Sequence, residues 1–224
     1  MLRRRLLALL RRLLLVVAAF YGLVLLGLVW VRFLPPLTTT VHIQRRVESW
    51  FRPGEYEKRW DWVPLDRISR HAQRAVVAAE DARFYQHDGF DWKEIGKVVE
   101  EARREGEPPR GASTITQQLV KNLFLTTHSN PVRKGLELTI TPLAELVLPK
   151  RRILELYLNV VEWGDGVYGI EEAARRWYGV PAARLGREQS ARLAAILPAP
   201  RTRTPQRSSR YASIILGRMA QMGW

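Results

Sequence analysis

The chain has 224 residues, with 36 Lys and Arg against 22 Asp and Glu, a formal charge of +14 and no cysteine. This length favours one domain of ordinary size. The absence of cysteine excludes a disulfide scaffold, a thiol nucleophile and a cysteine-ligated metal site. The four histidines show no pair spaced four apart, so a metal site built on imidazole is not expected. An ion held by carboxylates and substrate phosphates stays open.

The positive charge is unevenly distributed along the chain. Residues 1–32 contain six Arg and no acidic side chain, which leaves +8 for residues 33–224. A basic excess outside the first segment indicates an anionic partner, such as nucleic acid, lipid head groups or a phosphorylated substrate.

The N-terminal segment is predicted to anchor the chain in a membrane. Residues 13–31 are uncharged, and as a helix they reach roughly 28 Å, close to the ~30 Å hydrocarbon core. Five Arg precede this run and one follows it, so residues 1–12 are predicted to be a cytoplasmic basic tail and the rest to lie outside. The alternative is a cleaved signal peptide, but residues 32–36 contain no small-x-small cleavage site.

The outer part is predicted to be mainly α-helical. A membrane-proximal segment, 32–65, is interpreted as a stiff Pro-rich exit followed by irregular or short-helical structure. Helical spacing and capping residues predict seven helices: 66–80 with Asp66 as N-cap, one from after Gly111 to Leu123, 131–148 with Asn130 as N-cap and Pro142 as a kink, 150–162 stopped by Gly164 to Gly166, 170–178, 187–197 and 211–222. No segment alternates as a strand would, so 66–224 is predicted to be one helical domain.

The first group of residues that could carry chemistry lies at 79–91. Here a helix of small apolar residues delivers Glu80 and Asp81 into a loop rich in aromatic residues, with His87 and Gly89. Partial burial would raise the pKa of such a carboxyl and suit it to act as a base near neutral pH. The alternative is a helix terminus with solvated acids.

The second group lies at 110–122. Small residues followed by hydroxyl caps and a new helix predict an anion site, because backbone N–H groups and the positive end of the helix dipole are presented there. Gln117, Gln118 and Lys121 are spaced to share a face of that helix. The alternative is an ordinary Ser N-cap on a polar surface helix.

The third group lies at 131–137, where Arg133 and Glu137 are four apart beside Lys134. By itself this pair is most simply a surface salt bridge worth less than about 1 kcal/mol. Together, two carboxylates, a helix N-terminus and several cations suggest sugar transfer with a phosphate leaving group. A membrane anchor suggests a substrate that is also in the membrane.

These segments, followed by 150–159 (KRRILELYLN) and 166–174 (GVYGIEEAA), resemble the peptidoglycan glycosyltransferase family. Its members are lysozyme-like helical enzymes that polymerise the lipid-linked disaccharide precursor of the bacterial cell wall. The resemblance covers about 66–200 and is greatest to monofunctional members. No Ser-x-x-Lys or Lys-Thr-Gly occurs and the chain stops at Trp224, so no transpeptidase activity is expected.

The resemblance implies a role for each carboxylate. Glu80 would be the general base that takes the proton from the acceptor 4-hydroxyl as this oxygen attacks C1 of the donor. A β-1,4 bond would form with inversion. Undecaprenyl diphosphate would leave without a proton, so Glu137 would orient cations or a divalent ion around the diphosphate instead of acting as an acid.

The resemblance also implies substrate contacts, partners and location. Three residues implied near the substrate, Asp81, Phe84 and His87, would shape the loop that follows the base. The others implied near the substrate are Ser113, Thr114, Gln117, Gln118, Lys121, Asn122, Arg133 and Lys134. A divalent cation, Mg²⁺ or Mn²⁺, bound with the diphosphate is compatible with them, whereas no organic cofactor and no metal held by the protein alone are expected. The implied partners are lipid II, the growing glycan strand, inner-membrane lipids and cell-wall synthesis or division proteins. The chain is predicted to be held by a single inner-membrane anchor with its domain in the periplasm. Nucleic acid is therefore not expected as a partner.

Some residues depart from the family pattern. Ala112 replaces a second Gly and would be strained if its φ were positive, and Thr139 and Pro142 interrupt a helix that relatives fill with apolar residues. Two other functions stay open: a lysozyme-like lytic enzyme, which needs no diphosphate-binding cations, and a non-enzymatic module that binds anionic wall polymer or lipid.

Overall fold

The computed structural model describes residues 2–106, 111 and 113–224. The described residues form ten α-helices: α1 Leu2–Phe33, α2 Thr40–Ser49, α3 Arg70–Glu80, α4 Trp92–Glu105, α5 Ile115–Phe124, α6 Pro131–Val147, α7 Lys150–Val160, α8 Ile170–Tyr178, α9 Arg187–Ala194 and α10 Ser209–Gln221. They also form three short strands: β1 Arg59–Trp60, β2 Glu162–Gly164 and β3 Val167–Tyr168. The prediction of a mainly α fold with one long apolar N-terminal helix is confirmed.

The first helix, α1, is long and apolar enough to cross a membrane. Its described N-terminal turns are exposed on all sides, whereas Val24, Leu28 and Val31 are buried against the rest of the chain. These positions are spaced four and three apart, so they form one face of the helix. Tyr21 and Thr139 share a hydrogen bond of 2.5 Å between α1 and α6. The last turns of α1 are therefore packed as part of the helical domain.

Close approach of α1 to α5 depends on Gly27. A Cβ atom at this position would lie 2.8 Å from Cε1 of Phe124, whereas a Cβ at Gly22 meets nothing within 4 Å. We expect Gly27→Leu to destabilise the detergent-solubilised protein by about 1–3 kcal/mol, because overpacking forces the ring or the helix to move. Thermal unfolding measures this, with Gly22→Leu as the matched control. Equal melting temperatures for the two variants would contradict this packing.

At the centre of the domain, α3 packs against α9 and α10, while α5 packs against α6 and α7. Small side chains make this close packing possible, since Ala72, Ala75 and Ala78 on α3 are all buried. The last helical residue of α3 is Glu80, and Asp81 departs from helical geometry with φ −162° and ψ 73°. The fold therefore delivers Glu80 from the end of a rigid central helix.

The N-cap predicted for α3 was wrong. Asp66 lies in a separate turn of 3₁₀-helix, Leu65–Arg67, and the extended backbone of Ile68 separates that turn from α3. Ser69 is the N-cap, and its hydroxyl accepts a hydrogen bond from the N–H of His71. The buried side chain of Ile68 is the physical reason, because it turns into the core just before the helix begins.

Helix α4 and the three strands were not predicted. No side chain in α4 is fully buried, but Ile95, Val98 and Ala102 form a half-buried apolar face at helical spacing, so the periodicity of the helix was present in the sequence and was missed. Its N-terminal signal was present in the sequence, since Asp91 accepts a hydrogen bond from the N–H of Glu94. Each strand has two or three residues, which is too short for an alternating pattern.

The small sheet has the order β1-β3-β2, with β1 parallel and β2 antiparallel to β3. Gly166, at the turn between β2 and β3, has a φ of 72°, and a Cβ there would lie 2.3 Å from the carbonyl oxygen of Glu57. Helix α7 ends at Val160, so the segment from Gly164 to Gly166 forms this turn and does not terminate the helix directly as predicted.

The other predicted helices are present, with boundary shifts of a few residues. Asn130 is the N-cap of α6, with its Oδ1 accepting from the N–H of Arg133 at 2.8 Å. One continuous helix, α6, contains Pro142. The predicted short-helical structure in 32–65 corresponds to α2. Arg110 and Ala112 lie outside the described residues, so the expectation of strain at Ala112 stays a prediction.

Candidate active site

Glu80 is held in an apolar and hydrogen-bonded environment at the end of α3. The side-chain amide of Gln118 donates a hydrogen bond of 2.7 Å from Nε2 to Oε2 of Glu80. Burial raises the pKa of Glu80 above its ordinary value, while the Gln118 hydrogen bond and the charge of Lys121 oppose this shift. A freely solvated acid at a plain helix terminus is therefore the wrong interpretation, and the raised pKa makes the carboxylate a better proton acceptor than an ordinary Glu.

The neighbouring carboxylate, Asp81, binds protein groups instead. Its Oδ1 lies 2.8 Å from Nε2 of His87, and its Oδ2 accepts the backbone N–H of Ile115 at 3.0 Å. Burial raises the pKa of Asp81, whereas the contact with His87 and the Ile115 N–H oppose the rise. Asp81 thus joins the loop after α3 to the N-terminus of α5.

The N-terminus of α5 is capped by the protein itself. Thr114 and Gln117 form a capping box, in which the backbone N–H of Thr114 donates to Oε1 of Gln117 at 2.9 Å. The Thr114 hydroxyl donates to the carbonyl of Gly89 at 2.7 Å. The expectation that this helix end presents unpaired N–H groups was therefore wrong for Thr114, Ile115 and Gln117, because nearby side chains accept those hydrogen bonds.

We expect Thr114→Ala to lower the free energy of unfolding by about 1 kcal/mol, the usual loss on removing an N-cap. The expected result is a lower melting temperature in detergent. Thr202→Ala is the matched control, because that hydroxyl is exposed and makes only a 3.3 Å contact to the carbonyl of Ala199. A Thr114→Ala protein as stable as the control would show that the cap contributes nothing.

Phe84 does not line the cleft. Its ring is fully buried, and the ammonium of Lys150 lies 4.7 Å from the ring centroid. Lys150 in turn pairs with Glu145 at 2.7 Å. These contacts support the expected role of Phe84 in shaping the loop that follows Glu80, while direct contact with substrate is not favoured.

The group on α6 is a buried ion cluster. Glu137 is 3% exposed, its Oε2 lies 2.5 Å from Nη1 of Arg133, and its Oε1 pairs with Lys134. Lys134 also donates to the Ser113 hydroxyl at 3.1 Å, which connects α6 to the segment before α5. The alternative of a surface salt bridge was wrong, because a carboxylate buried this deeply holds its two cations in place.

Lys121 lies near enough to both Glu80 and this cluster to feel their charges. Burial lowers its pKa, the charges of Glu137 and Glu80 raise it, and those of Arg133 and Lys134 lower it further. Both predicted carboxylates therefore act electrostatically on this one ammonium. Asn122, by contrast, is buried and donates to the backbone carbonyl of Gln118 at 2.8 Å.

A cleft of about 390 Å³ opens beside Glu80. Ser113, Thr114 and residues 79–83 line one part of it. Three α10 residues that sequence reasoning missed line another part: Tyr211, Arg218 and Gln221. Arg218 donates to the carbonyl of Ala78 at 3.3 Å, so it also holds the end of α3. No motif indicated these residues, because only the fold brings α10 to this helix end.

Three side chains of the loop after α3 lie close enough together to be considered as metal ligands. Asp81, His87 and Asp91 place ligand atoms within 4.8 Å of one another. Asp91, however, already accepts from Arg83 at 3.1 Å and from the N–H of Glu94, and the oxygens of Asp81 are engaged as described above. Both oxygens of Glu137 are occupied by cations as well. These carboxylates fit side-chain partners better than a divalent ion.

A carboxyl with a raised pKa that lines a cleft, with cations close by, is an arrangement suited to the catalysis of group transfer. The single long apolar helix at the N-terminus suggests, in addition, that this helical enzyme is anchored by one membrane pass.

Comparison with known proteins agrees with that class. The sequence signature of the family described as Transglycosylase matches residues 46–220, which begins inside α2. The chain is 47% identical over 207 residues to the biosynthetic peptidoglycan transglycosylase of Aromatoleum aromaticum, covering 91% of this chain and 90% of the relative.

Two further relatives carry the same description. Identity is 53% over 165 residues with the protein of Azoarcus sp. strain BH72, covering 72% and 71% of the two chains. It is 48% over 200 residues with that of Bordetella pertussis, covering 87% and 83%. The chain therefore belongs to the transglycosylase family, among the biosynthetic peptidoglycan transglycosylases, and the resemblance seen in the sequence is confirmed.

Proposed function

We propose that this enzyme polymerises lipid II into the β-1,4 glycan strands of peptidoglycan, with inversion at the donor carbon and undecaprenyl diphosphate as the leaving group. The observation that carries the proposal is that Lys121 lies close enough to feel the charges of both Glu80 and the Arg133–Glu137–Lys134 cluster, while Gln118 on the same helix contacts Glu80 directly. A base and a diphosphate-binding array are thereby held on adjacent rigid helices.

Glu80 performs the proton transfer. Its carboxylate accepts the proton of the acceptor 4-hydroxyl while that oxygen attacks C1 of the donor sugar from the face opposite the diphosphate, which inverts the configuration. Partial burial supports this role, because a base whose pKa approaches the working pH accepts a proton more readily. Gln118 holds one carboxylate oxygen and leaves the other to face the hydroxyl.

The cations stabilise the leaving group. Negative charge develops on the diphosphate as the C1–O bond breaks, and the positive charges of Lys121 and Arg133 stabilise it. These side chains need not move during the reaction, because packing and the contact of Arg133 with Glu137 already fix them. Glu137 cannot act as a general acid while both its oxygens are paired with Arg133 and Lys134. A diphosphate leaves without protonation, so no acid is required. A divalent cation carried in with the diphosphate would add to the same charge stabilisation.

The packing of α1 supports a membrane-bound substrate. Because its last turns contact α5 and α6, the helices that bear the cations lie beside the anchor. Leu138 and Leu146 on α6 are 43% and 81% exposed, as expected for side chains that face lipid. We infer a single pass through the inner membrane, with a cytoplasmic N-terminus and a periplasmic domain. Its partners would be the glycan strand, inner-membrane lipids and proteins of cell-wall synthesis or division.

The test is to incubate the purified full-length protein in detergent with lipid II. We expect a polymer that muramidase digests, and no peptide cross-links, in keeping with glycan synthesis alone. Release of soluble fragments from isolated sacculi, without polymer, would favour a lytic enzyme instead. Salt-sensitive binding to wall polymer or anionic vesicles without turnover would favour a non-enzymatic module.

A further inference from the structure

Behind the base lies a buried tyrosine that the mechanism above does not use. Tyr157 on α7 is 1% exposed, and its hydroxyl donates a hydrogen bond of 3.0 Å to Oε1 of Gln118. The amide of the same Gln118 donates its 2.7 Å hydrogen bond to Glu80. The three side chains thus form a chain of hydrogen bonds that runs from the core, through α5, to the end of α3.

The direction of these hydrogen bonds follows from chemistry. An ionised carboxylate only accepts hydrogen bonds, so the –NH₂ group of Gln118 must face Glu80. The amide oxygen then faces Tyr157 and requires a donor. Burial and the negative charges of Glu80 and Asp81 raise the pKa of Tyr157 well above its ordinary value, which keeps the phenol protonated and therefore a donor at every working pH.

We propose that Tyr157 is a positioning residue, which fixes the amide orientation of Gln118 and thereby holds the Glu80 carboxylate for proton transfer. This inference rests on the proposed role of Glu80 as the base. Tyr157 touches neither the substrate nor the reacting atoms. It acts through Gln118, whose side chain is the only group that contacts both Tyr157 and Glu80 through hydrogen bonds among the described residues.

Loss of the hydroxyl has a specific consequence. Without Tyr157 as donor, the amide oxygen of Gln118 has no partner on that side, and only the hydrogen bond to Glu80 still opposes rotation of the amide. A rotated amide turns its oxygen toward the carboxylate, which replaces an attractive contact by a repulsive one. Because the Gln118 hydrogen bond lowers the pKa of Glu80, its loss shifts proton uptake by the carboxyl to higher pH.

The experiment measures steady-state polymerisation of lipid II by the full-length Tyr157→Phe protein from about pH 4 to about pH 9, a range that begins below the ordinary pKa of a Glu carboxyl and so brackets a raised one. We expect kcat to fall about tenfold, the typical effect of one hydrogen bond to a charged group, with KM changed less than about twofold. The acid limb of the kcat profile should move to higher pH.

Tyr168→Phe is the matched control. Tyr168 is also fully buried, and its hydroxyl makes one hydrogen bond of 2.9 Å to Tyr56, at the small sheet. Both variants lose one buried tyrosine hydroxyl, so both should lose similar thermal stability. Only Tyr157→Phe should change the pH profile. If the two variants change kcat and the acid limb equally, Tyr157 is merely structural and the proposal is overturned.

A double-mutant cycle tests the route through Gln118. In a Gln118→Ala background, Tyr157→Phe should cause no further fall in kcat, because the amide through which it acts is gone. A second fall as large as that in the native background would overturn the proposal. A failure of the proposed base would be seen separately. If Glu80 were not the base, the Glu80→Gln protein would polymerise lipid II normally, whatever the result for Tyr157→Phe.

Discussion

Glu80→Gln protein should form no measurable glycan polymer from lipid II. The amide cannot accept the proton of the acceptor hydroxyl, and general base catalysis contributes about 10²–10⁴-fold to the rate. Gln has the same shape, and its carbonyl can still accept the hydrogen bond from Gln118, so the fold and lipid II binding should be retained. Thermal unfolding and lipid II binding would verify that only the chemical step is lost.

Glu162→Gln is the control for this substitution. Glu162 is another buried carboxyl, whose burial raises its pKa to about 7, but it lies on β2 and pairs with Arg45 at 3.1 Å. We expect activity within about twofold of the native enzyme, because the charged partners of Glu162 are Arg45 and Arg201, which lie outside the proposed site. Polymer formed by Glu80→Gln at the control rate would eliminate Glu80 as the base.

The pH profile of the native enzyme follows from the same carboxyl. A base must be ionised to act, so activity should fall as the pH drops through the pKa of Glu80. Burial places that pKa above the ordinary 4.5, and the acid limb should therefore lie above pH 4.5. A lytic enzyme that used Glu80 as a general acid would show the opposite limb, with activity lost as the pH rises, so the sign of this limb separates the two mechanisms.

Lys121→Ala should give the second large loss, with polymerisation slower by about 10²–10³-fold, as for removal of one charge-stabilising donor from an active site. The ammonium feels the charges of both Glu80 and Glu137, so it is placed to act between the base and the other cations. Its loss should lower kcat more than it raises KM, because the charge that it meets is greatest in the transition state.

Lys58→Ala is the control, because it also removes one positive charge from the domain. Lys58 packs over the ring of Trp60 at 4.7 Å, beside β1 and away from the cations of α6. This variant should polymerise lipid II at the native rate. Retained activity in Lys121→Ala, together with release of fragments from sacculi, would favour the lytic alternative, which needs no diphosphate-binding cation.

Much of the site could be predicted from the order of its motifs. Glu80, Lys121 and the Arg133 to Glu137 segment lie in short motifs whose residue types, taken together and in this order, indicate the chemistry. Partners within the site could not be predicted. The interpretation of the α5 N-terminus as an open anion site failed because Asp81 and Gln117, from a loop and from the helix itself, accept its N–H groups. Only tertiary contacts reveal which donors are already engaged.

The sequence alone determined the helical class, the apolar N-terminal helix and the identity of the two carboxylates, because periodicity, length and residue type are local properties. Tertiary structure decided what surrounds each group: the burial that raises the pKa of Glu80, the pairing of Glu137 with two cations, the α10 wall of the cleft and the hydroxyl of Tyr157 behind Gln118. Each of these depends on helices far apart in the chain meeting in space, and it is this packing that excludes water and makes charge effective.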